Sequence, residues 1–407
     1  MRCLVVFLLF FCSEIIVCQS NEAQLASKLA EKEKIELELQ AVNSEIEGLR
    51  LTKTIADLKA LGLPSTNYIE HSAMILEYSE AHEQAAWVSH MILPQIIDGS
   101  VGRTEDFRTD PKVKTGSAVE KDYFLKYIQQ DSTYKYDGYG YDRGHLAPSA
   151  DFRWSKKALS ESFFYSNMSP QAPEFNQEIW KELEGILRAY VVRTKVPLYV
   201  TTLPVLKENL PKVRRSPNGL SLPAQYIKVA LDPINKQGIA FLIENKAAEK
   251  LLSSYSIPID KVEELTGYNF YPNSPCEDCE STVDKLTWFP ELGSGDKEPI
   301  YAPSLPRNHF NTVNGARHAG SGKIVTVCGH VVGTHVSRAG HLWLNLDKQY
   351  PNQIFSIFIR KEDIVNFSGD IEQLVMNKEY CFEGKVELIR QKPTMSIEKE
   401  NNISLME

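Results

Sequence analysis

Tyr141-Asp142-Arg143-Gly144-His145-Leu146-Ala147-Pro148 is followed by Ser166-Asn167-Met168-Ser169-Pro170-Gln171 and then by Asn176-Gln177-Glu178-Ile179-Trp180-Lys181-Glu182-Leu183-Glu184, all within the span from Gly138 to Arg193. Cleaving a phosphodiester requires a base for water, a cation for the charge that builds on phosphorus oxygens, and a proton for the departing oxygen. His145 suits the first task, since a neutral imidazole accepts a proton near pH 7 without a large pKa shift. Arg143 projects to the same side as His145 if the segment is extended. Its planar, permanently charged fork fits phosphate oxygens. Gly144 between them allows close backbone approach.

Asn176 opens a stretch with helical character, Asn176 to Arg188. It reads either as an N-cap for free backbone amides or as a neutral amide ligand that binds a hard cation without cancelling its charge. Glu184 falls eight residues on, about 80° around an α-helix and about 12 Å along it. From there it reaches water around an ion rather than the ion itself; alternatively it is one of several exposed helix glutamates. Trp180 reads as a core anchor, and Asn167 alone as a turn former.

Outward from this centre, Val196 to Leu203, Tyr226 to Leu231 and Gly238 to Ile243 read as strands, so residues 65–289 form one α+β domain. Residues 290–322 carry prolines and glycines with few apolar clusters, the composition of a linker. Strands resume at Ile324 to Val332, His341 to Leu346, Ile354 to Ile359 and Tyr380 to Leu388, a small all-β barrel or sandwich over 323–400. Trp343 and Phe355 lie in dense apolar runs and read as core more readily than as base-stacking platforms. Towards the N-terminus, residues 20–64 read as a long helix. Leu39, Val42, Ile46 and Leu49 keep the spacing of a coiled-coil seam, so the helix either pairs with another copy or is amphipathic and lies on its own domain. Pro64 ends it.

Residues 1–19, charged and then apolar from Leu4 to Phe11, read as an export signal. Export implies a secreted, periplasmic or cell-envelope protein, with a membrane role only if the segment is retained or lipidated. Val17 makes Cys18 a poor lipoprotein cysteine. Four cysteines then remain, and Cys276 and Cys279 read as a local disulfide or free thiols rather than a zinc site. The chain of 407 residues has 43% apolar and 24% charged residues, which excludes wholesale disorder and a polytopic membrane protein. A net charge of -8 supplies no long-range pull on a polyanion.

Together the three motifs resemble the DNA/RNA non-specific endonuclease family of ββα-metal (His-Me finger) nucleases, which includes endonuclease G-like enzymes. Asp142-Arg143-Gly144-His145 stands as its DRGH, Ser166-Asn167 with Pro170-Gln171 as its SNxxPQ-like segment, and Asn176 through Glu184 as its NxxxWxxLE helix. The resemblance implies a ββα-metal core on a mixed or antiparallel sheet, and Mg²⁺ or Mn²⁺-dependent hydrolysis of DNA and RNA. It makes His145 the general base, Asn176 the sole protein ligand of the ion, Glu184 the holder of the ion's water and Arg143 a phosphate contact. Asn167 becomes a supporting residue. An additional upstream arginine is Arg103 or Arg108. Trp87-Val88 fits the family's early helix, and Phe107 to Pro111 its loop before the core; Thr201-Thr202-Leu203-Pro204 departs from the usual TGP. The C-terminal strands look like an OB-fold, in which Cys328 and Cys381 can staple two strands.

Two other readings share some of these residues: a non-catalytic adaptor that keeps the scaffold, and a phosphodiesterase for small molecules. Between Tyr141 and Lys195, eight Lys/Arg stand against seven Asp/Glu. Phosphate attraction therefore has to come from the ion and from a few arginines gathered by folding, with Lys212, Arg214 and Arg215 as further candidates.

Overall fold

The computed structural model describes residues 2–276, 278–290, 295–297, 299–300, 305–306 and 308–406, with the backbone alone for 2–23. The apolar export core and Cys18 therefore lie outside the described side chains, and much of the expected linker lies outside the described residues. Helix α1 (Arg2–Leu61) ends where Gly62 takes φ +101°, a left-handed conformation open to a residue without Cβ. The chain divides into one unit up to Asp57 and a second from Leu58. In the first, Leu39, Val42, Ile46 and Leu49 are all exposed. Among the described residues, no helix is long and apolar enough to cross a membrane.

The second unit begins with strands β1 (Ile69–Glu70), β2 (Met74–Ser79), β3 (Gln84–Ile92), β4 (Phe124–Ile128), β5 (Tyr134–Gly138), β6 (Asp142–His145), β7 (Met168–Gln171), β8 (Leu198–Pro204), β9 (Gln225–Asp232), β10 (Gln237–Glu244) and β11 (Ser256–Ile257). Seven of them form a sheet of order β1-β2-β3-β8-β9-β10-β11, antiparallel at every pairing. Strands β3 and β9 are buried along almost their whole length, as expected where both faces of a sheet are covered. Trp87-Val88, expected on a helix, lies in β3. Val88 sits opposite Leu76 on one side and Thr202 on the other, and this two-sided pairing outweighs local preference.

Strands β6 and β7 make a separate antiparallel ribbon in which Asp142 faces Gln171 and His145 faces Met168. Helix α2 (Lys156–Glu161) lies between them in sequence, its N-terminus capped by Ser155 Oγ accepting from Ala158 N. After β7 the chain enters a wide π-helical turn, Phe175–Trp180, which runs on into helix α3 (Lys181–Thr194). The large sheet holds the ribbon through polar pegs. Tyr226 Oη donates to Pro170 O at 2.9 Å and Lys228 Nζ to Leu146 O at 3.1 Å. Both stand on the same face of β9, two residues apart.

The C-terminal region contains β12 (Phe310–Asn311), β13 (Ile324–Val336), β14 (Leu342–Leu346), β15 (Phe355–Ile359), β16 (Glu379–Ile389), β17 (Lys392–Ser396) and β18 (Ile403–Leu405). Pairing runs β13-β14-β15-β17-β16 and returns to β13, with β15 and β17 parallel and the other four contacts antiparallel. Five strands thus close a ring around Val327, Leu344, Ile357, Phe382 and Met395. Cys328 faces Cys381 in register and is bonded to it, as Cys276 is to Cys279. Phe310–Asn311, inside the stretch read as a linker, pairs with β13, and the helical turn that follows (Thr312–Ala316) is capped by Asn311. Phe355 is fully buried, whereas Trp343, expected in the core, is only partly buried and packs at a tilt against Phe358, with ring centroids 4.6 Å apart.

At the ribbon, a Cβ on Gly144 would collide with the side chain of Gln171. Gly144→Ala must displace the buried Gln171 side chain, at a cost of about 1–3 kcal/mol. Scanning calorimetry should show the unfolding temperature of the variant lowered by several degrees.

Candidate active site

Asp142 ties the helix to the ribbon. Its Oδ2 accepts from Asn176 Nδ2 at 2.9 Å and from Gln177 Nε2 at 2.8 Å. This commits the amide nitrogen of Asn176 and leaves its carbonyl oxygen as the atom available to a cation. The N-cap reading of Asn176 is overturned, because the residue lies inside the π-helical turn and its backbone N–H already donates to Ala172 O. The wide turn also changes the phase of the helix. A π turn absorbs one extra residue, so the eight residues from Asn176 to Glu184 turn the chain as seven would in a regular helix. The offset falls from about 80° to about 20°, and the two side chains share a face.

His145 and Arg143 meet around one aromatic ring. In extended β6 they lie on the same side, and Phe107 touches both, with Arg143 Cζ 3.5 Å from its centroid and the His145 ring at 5.9 Å. Phe163 packs edge-on to His145 at 5.0 Å. The Nε2 of His145 is buried without a hydrogen-bond partner among the described residues. Burial, then the charges of Arg103 and Arg143, push its pKa down to about 3, a much larger shift than the sequence suggests. The imidazole is therefore neutral in the folded protein. Between about pH 6.5 and 3 the unfolded chain takes up this proton and the folded one does not, so acid withdraws stability over that window.

Of the two upstream arginines, the structure separates Arg103 from Arg108. Arg108 is committed to Asp106 at 2.8 Å, to the carbonyl of Ser160 at 2.9 Å and to the Phe164 ring. Arg103 is exposed, has a surface pair with Glu105 at 3.1 Å, lies over the Phe163 ring at 5.5 Å, and acts electrostatically on both His145 and Glu184. Lys212 bonds Ser221 and Arg215 pairs with Asp137. Asn167 is fully buried and spends its amide on the backbone, accepting from Ala147 N and donating to Ala147 O and Ser162 O. These bonds fix the chain just after His145.

Glu184 stands over a buried charge network that the sequence reading did not find. Arg188 Nη1 donates to Asp151 Oδ1 at 2.9 Å and lies 3.9 Å from Glu184 Oε2, while His90 Nε2 sits 2.9 Å from Asp151 Oδ2. Lys228 completes it, fully buried and bonded to Thr202 Oγ1 at 2.7 Å. Burial raises the pKa of Glu184 and lowers that of Lys228, each effect countered by the opposite charges nearby. The available signal was a lysine set in the apolar run Tyr226 to Leu231. The amide oxygen of Asn176, the Glu184 carboxylate and the partnerless His145 Nε2 suit a hard, largely hydrated divalent cation. Among the described residues, the two clusters of three His, Cys or carboxylate groups lie elsewhere, at His309, Cys328 and Cys381 and at Asp260, Glu263 and Glu280.

The sequence profile of the DNA/RNA non-specific endonuclease family matches residues 56–276. The mitochondrial endonuclease G of Homo sapiens is 28% identical over 232 residues, which cover 53% of this chain and 74% of the relative. Nuclease C1 of Cunninghamella echinulata var. echinulata is also 28% identical over 232 residues, covering 52% and 85%. A chain of the solved EndoG/EndoGI complex, 24% identical, covers 54% of this chain and 92% of its own length at a TM-score of 0.46.

Arg103→Gln removes one of the two cations that hold the proton off His145. In ring-proton NMR titrations the imidazole should therefore titrate at higher pH than in the wild type; an unchanged curve would place Arg103 out of electrostatic reach.

Proposed function

Since the chain belongs to the DNA/RNA non-specific endonuclease family, we propose that it is an exported, Mg²⁺-dependent endonuclease that hydrolyses phosphodiester bonds in DNA and RNA without strong sequence specificity. The observation that carries this reading is the Asp142 clamp, which fixes Asn176 against the strand bearing His145. His145 Nε2 takes the proton of the attacking water. Arg143, stacked on Phe107, receives the phosphate, and Arg103 exchanges its exposed pair with Glu105 for a second oxygen. Burial depresses the basicity of His145 most and these two cations add to it, so a phosphate between them lifts only their share. Asn176 would hold the ion through its amide oxygen, and Glu184 would orient water beside it. Bound Mg²⁺ would stabilise the charge developing on the phosphate and the leaving oxygen.

The charged start and apolar run within residues 1–19 support export. The exposed seam from Leu39 to Leu49 supports self-association through α1. The C-terminal ring supports an OB-like module, since its five strands close as first-second-third-fifth-fourth with the third and fifth parallel.

Purified full-length protein should nick supercoiled plasmid and degrade RNA with Mg²⁺ but not with EDTA, and His145→Ala should lose both activities with an unchanged circular dichroism spectrum. Cleavage by neither protein, with nucleic acid still bound, would return the adaptor reading. Asp142→Ala frees the Asn176 amide to rotate, so half-maximal cleavage should require about 10–100-fold more Mg²⁺ in a metal titration of the plasmid assay.

A further inference from the structure

Strands β4 and β5 form a two-stranded hairpin outside the large sheet. Its turn is well tied, with Gln129 N donating to Thr133 O at 2.8 Å and Asp131 Oδ1 accepting from Thr133. Register places Phe124, Lys126 and Ile128 of β4 beside Gly138, Tyr136 and Tyr134 of β5. Directly paired residues point to one face, so this face has no carboxylate. Instead it carries a ladder of rings and cations. Arg143 lies 4.9 Å from the Phe124 ring, Phe124 packs edge-on to Tyr136 at 5.3 Å, and Lys126 Nζ lies 5.9 Å from Tyr136 and 4.0 Å from Tyr134. Tyr134 and Tyr136 are each about half exposed, and Ile128 at the outer end is 74% exposed. Among the described residues, a Cβ at Gly138 would meet no atom within 4 Å, so the strand beside Phe124 is open at this point.

An exposed aromatic face is unusual on a surface that nothing covers, and this one begins at the arginine assigned to the scissile phosphate. We propose that it is a stacking arm for single-stranded polynucleotide. Unpaired bases stack on Tyr134 and Tyr136, Lys126 meets the backbone phosphate between them, and the strand runs inward along about 13 Å of hairpin to Arg143. Rings alternating with cations are what a single strand offers contacts to: a π-face at every base and a charge at every phosphate. A duplex keeps its bases stacked on one another and can use only the cation. The proposal rests on the nuclease reading and adds to it the strand form that the site receives.

The test measures binding rather than turnover, so it stands apart from the digestion assay. In full-length protein carrying His145→Ala, fluorescence anisotropy is read for labelled oligo(dT) and for a duplex of equal length, with Mg²⁺ present. Tyr134→Ala with Tyr136→Ala should weaken oligo(dT) binding about tenfold or more, while the paired Tyr→Phe changes keep it near the starting value. Duplex affinity should change by less than about threefold, since the rings contribute little to it. Unchanged oligo(dT) binding in the alanine pair, or an equal loss for the duplex, would overturn the arm. So would a fall in sedimenting mass on removing the two rings, which would make the face a contact between copies of the chain. Failure of the wild type to digest any nucleic acid would instead remove the nuclease reading.

Discussion

A single carboxylate oxygen organises the centre of this protein. Asp142 Oδ2 accepts from two amides on the helix, Asn176 and Gln177, and does so from the strand that ends in His145. A charge-assisted bond of this kind is roughly twice as strong as a neutral one, and here two converge on one atom. Its effect is geometric as well as energetic: the helix cannot slide along the ribbon without breaking both. The ribbon in turn is fixed from below by Tyr226 and Lys228, whose polar tips donate to the main-chain oxygens of Pro170 and Leu146.

The electrostatics beneath the site are balanced rather than strongly positive. Asp151 and Glu184 face Arg188 and Lys228 within a buried region, and His90 adds a polar contact to Asp151. Two anions and two cations largely cancel, in keeping with the near-even charge count of the surrounding sequence. Arg143, and Arg103 with its exposed partner Glu105, add positive charge on the side where His145 loses basicity first to burial and then to these two cations. The protein therefore meets anions through a few placed cations rather than through a basic surface. Its net charge of -8 opposes general adhesion to polyanions elsewhere.

Much of this was legible in the chain. His145, Arg143, Asn176 and Glu184 stand in motifs whose spacing implies their company, and the alternation of an extended strand already puts Arg143 beside His145. What was hidden depends on contacts between distant segments. Trp87-Val88 forms a strand because β2 and β8 flank it, and nothing local says so. Strand β17 was missed because its hairpin turn uses Arg390 and Gln391, both at positive φ, without the Gly or Asn that marks such turns, and because Pro393 sits within it. What distinguishes Arg103 from Arg108 is also non-local: Arg103 has an exposed pair with its neighbour Glu105, whereas Arg108 is held by Asp106 and by Ser160, the latter more than fifty residues away in sequence.

The π turn at Phe175–Trp180 sets a rule about counting. A helix carrying one surplus residue brings amide and carboxylate into line only at this particular number of intervening positions. Gaining or dropping a residue between Asn176 and Glu184 would swing the acid by about 100° and take it off the shared face. Side chains in that interval are open to exchange wherever packing permits, but its length is not, so the segment behaves as a ruler whose graduations matter more than the material it is made from.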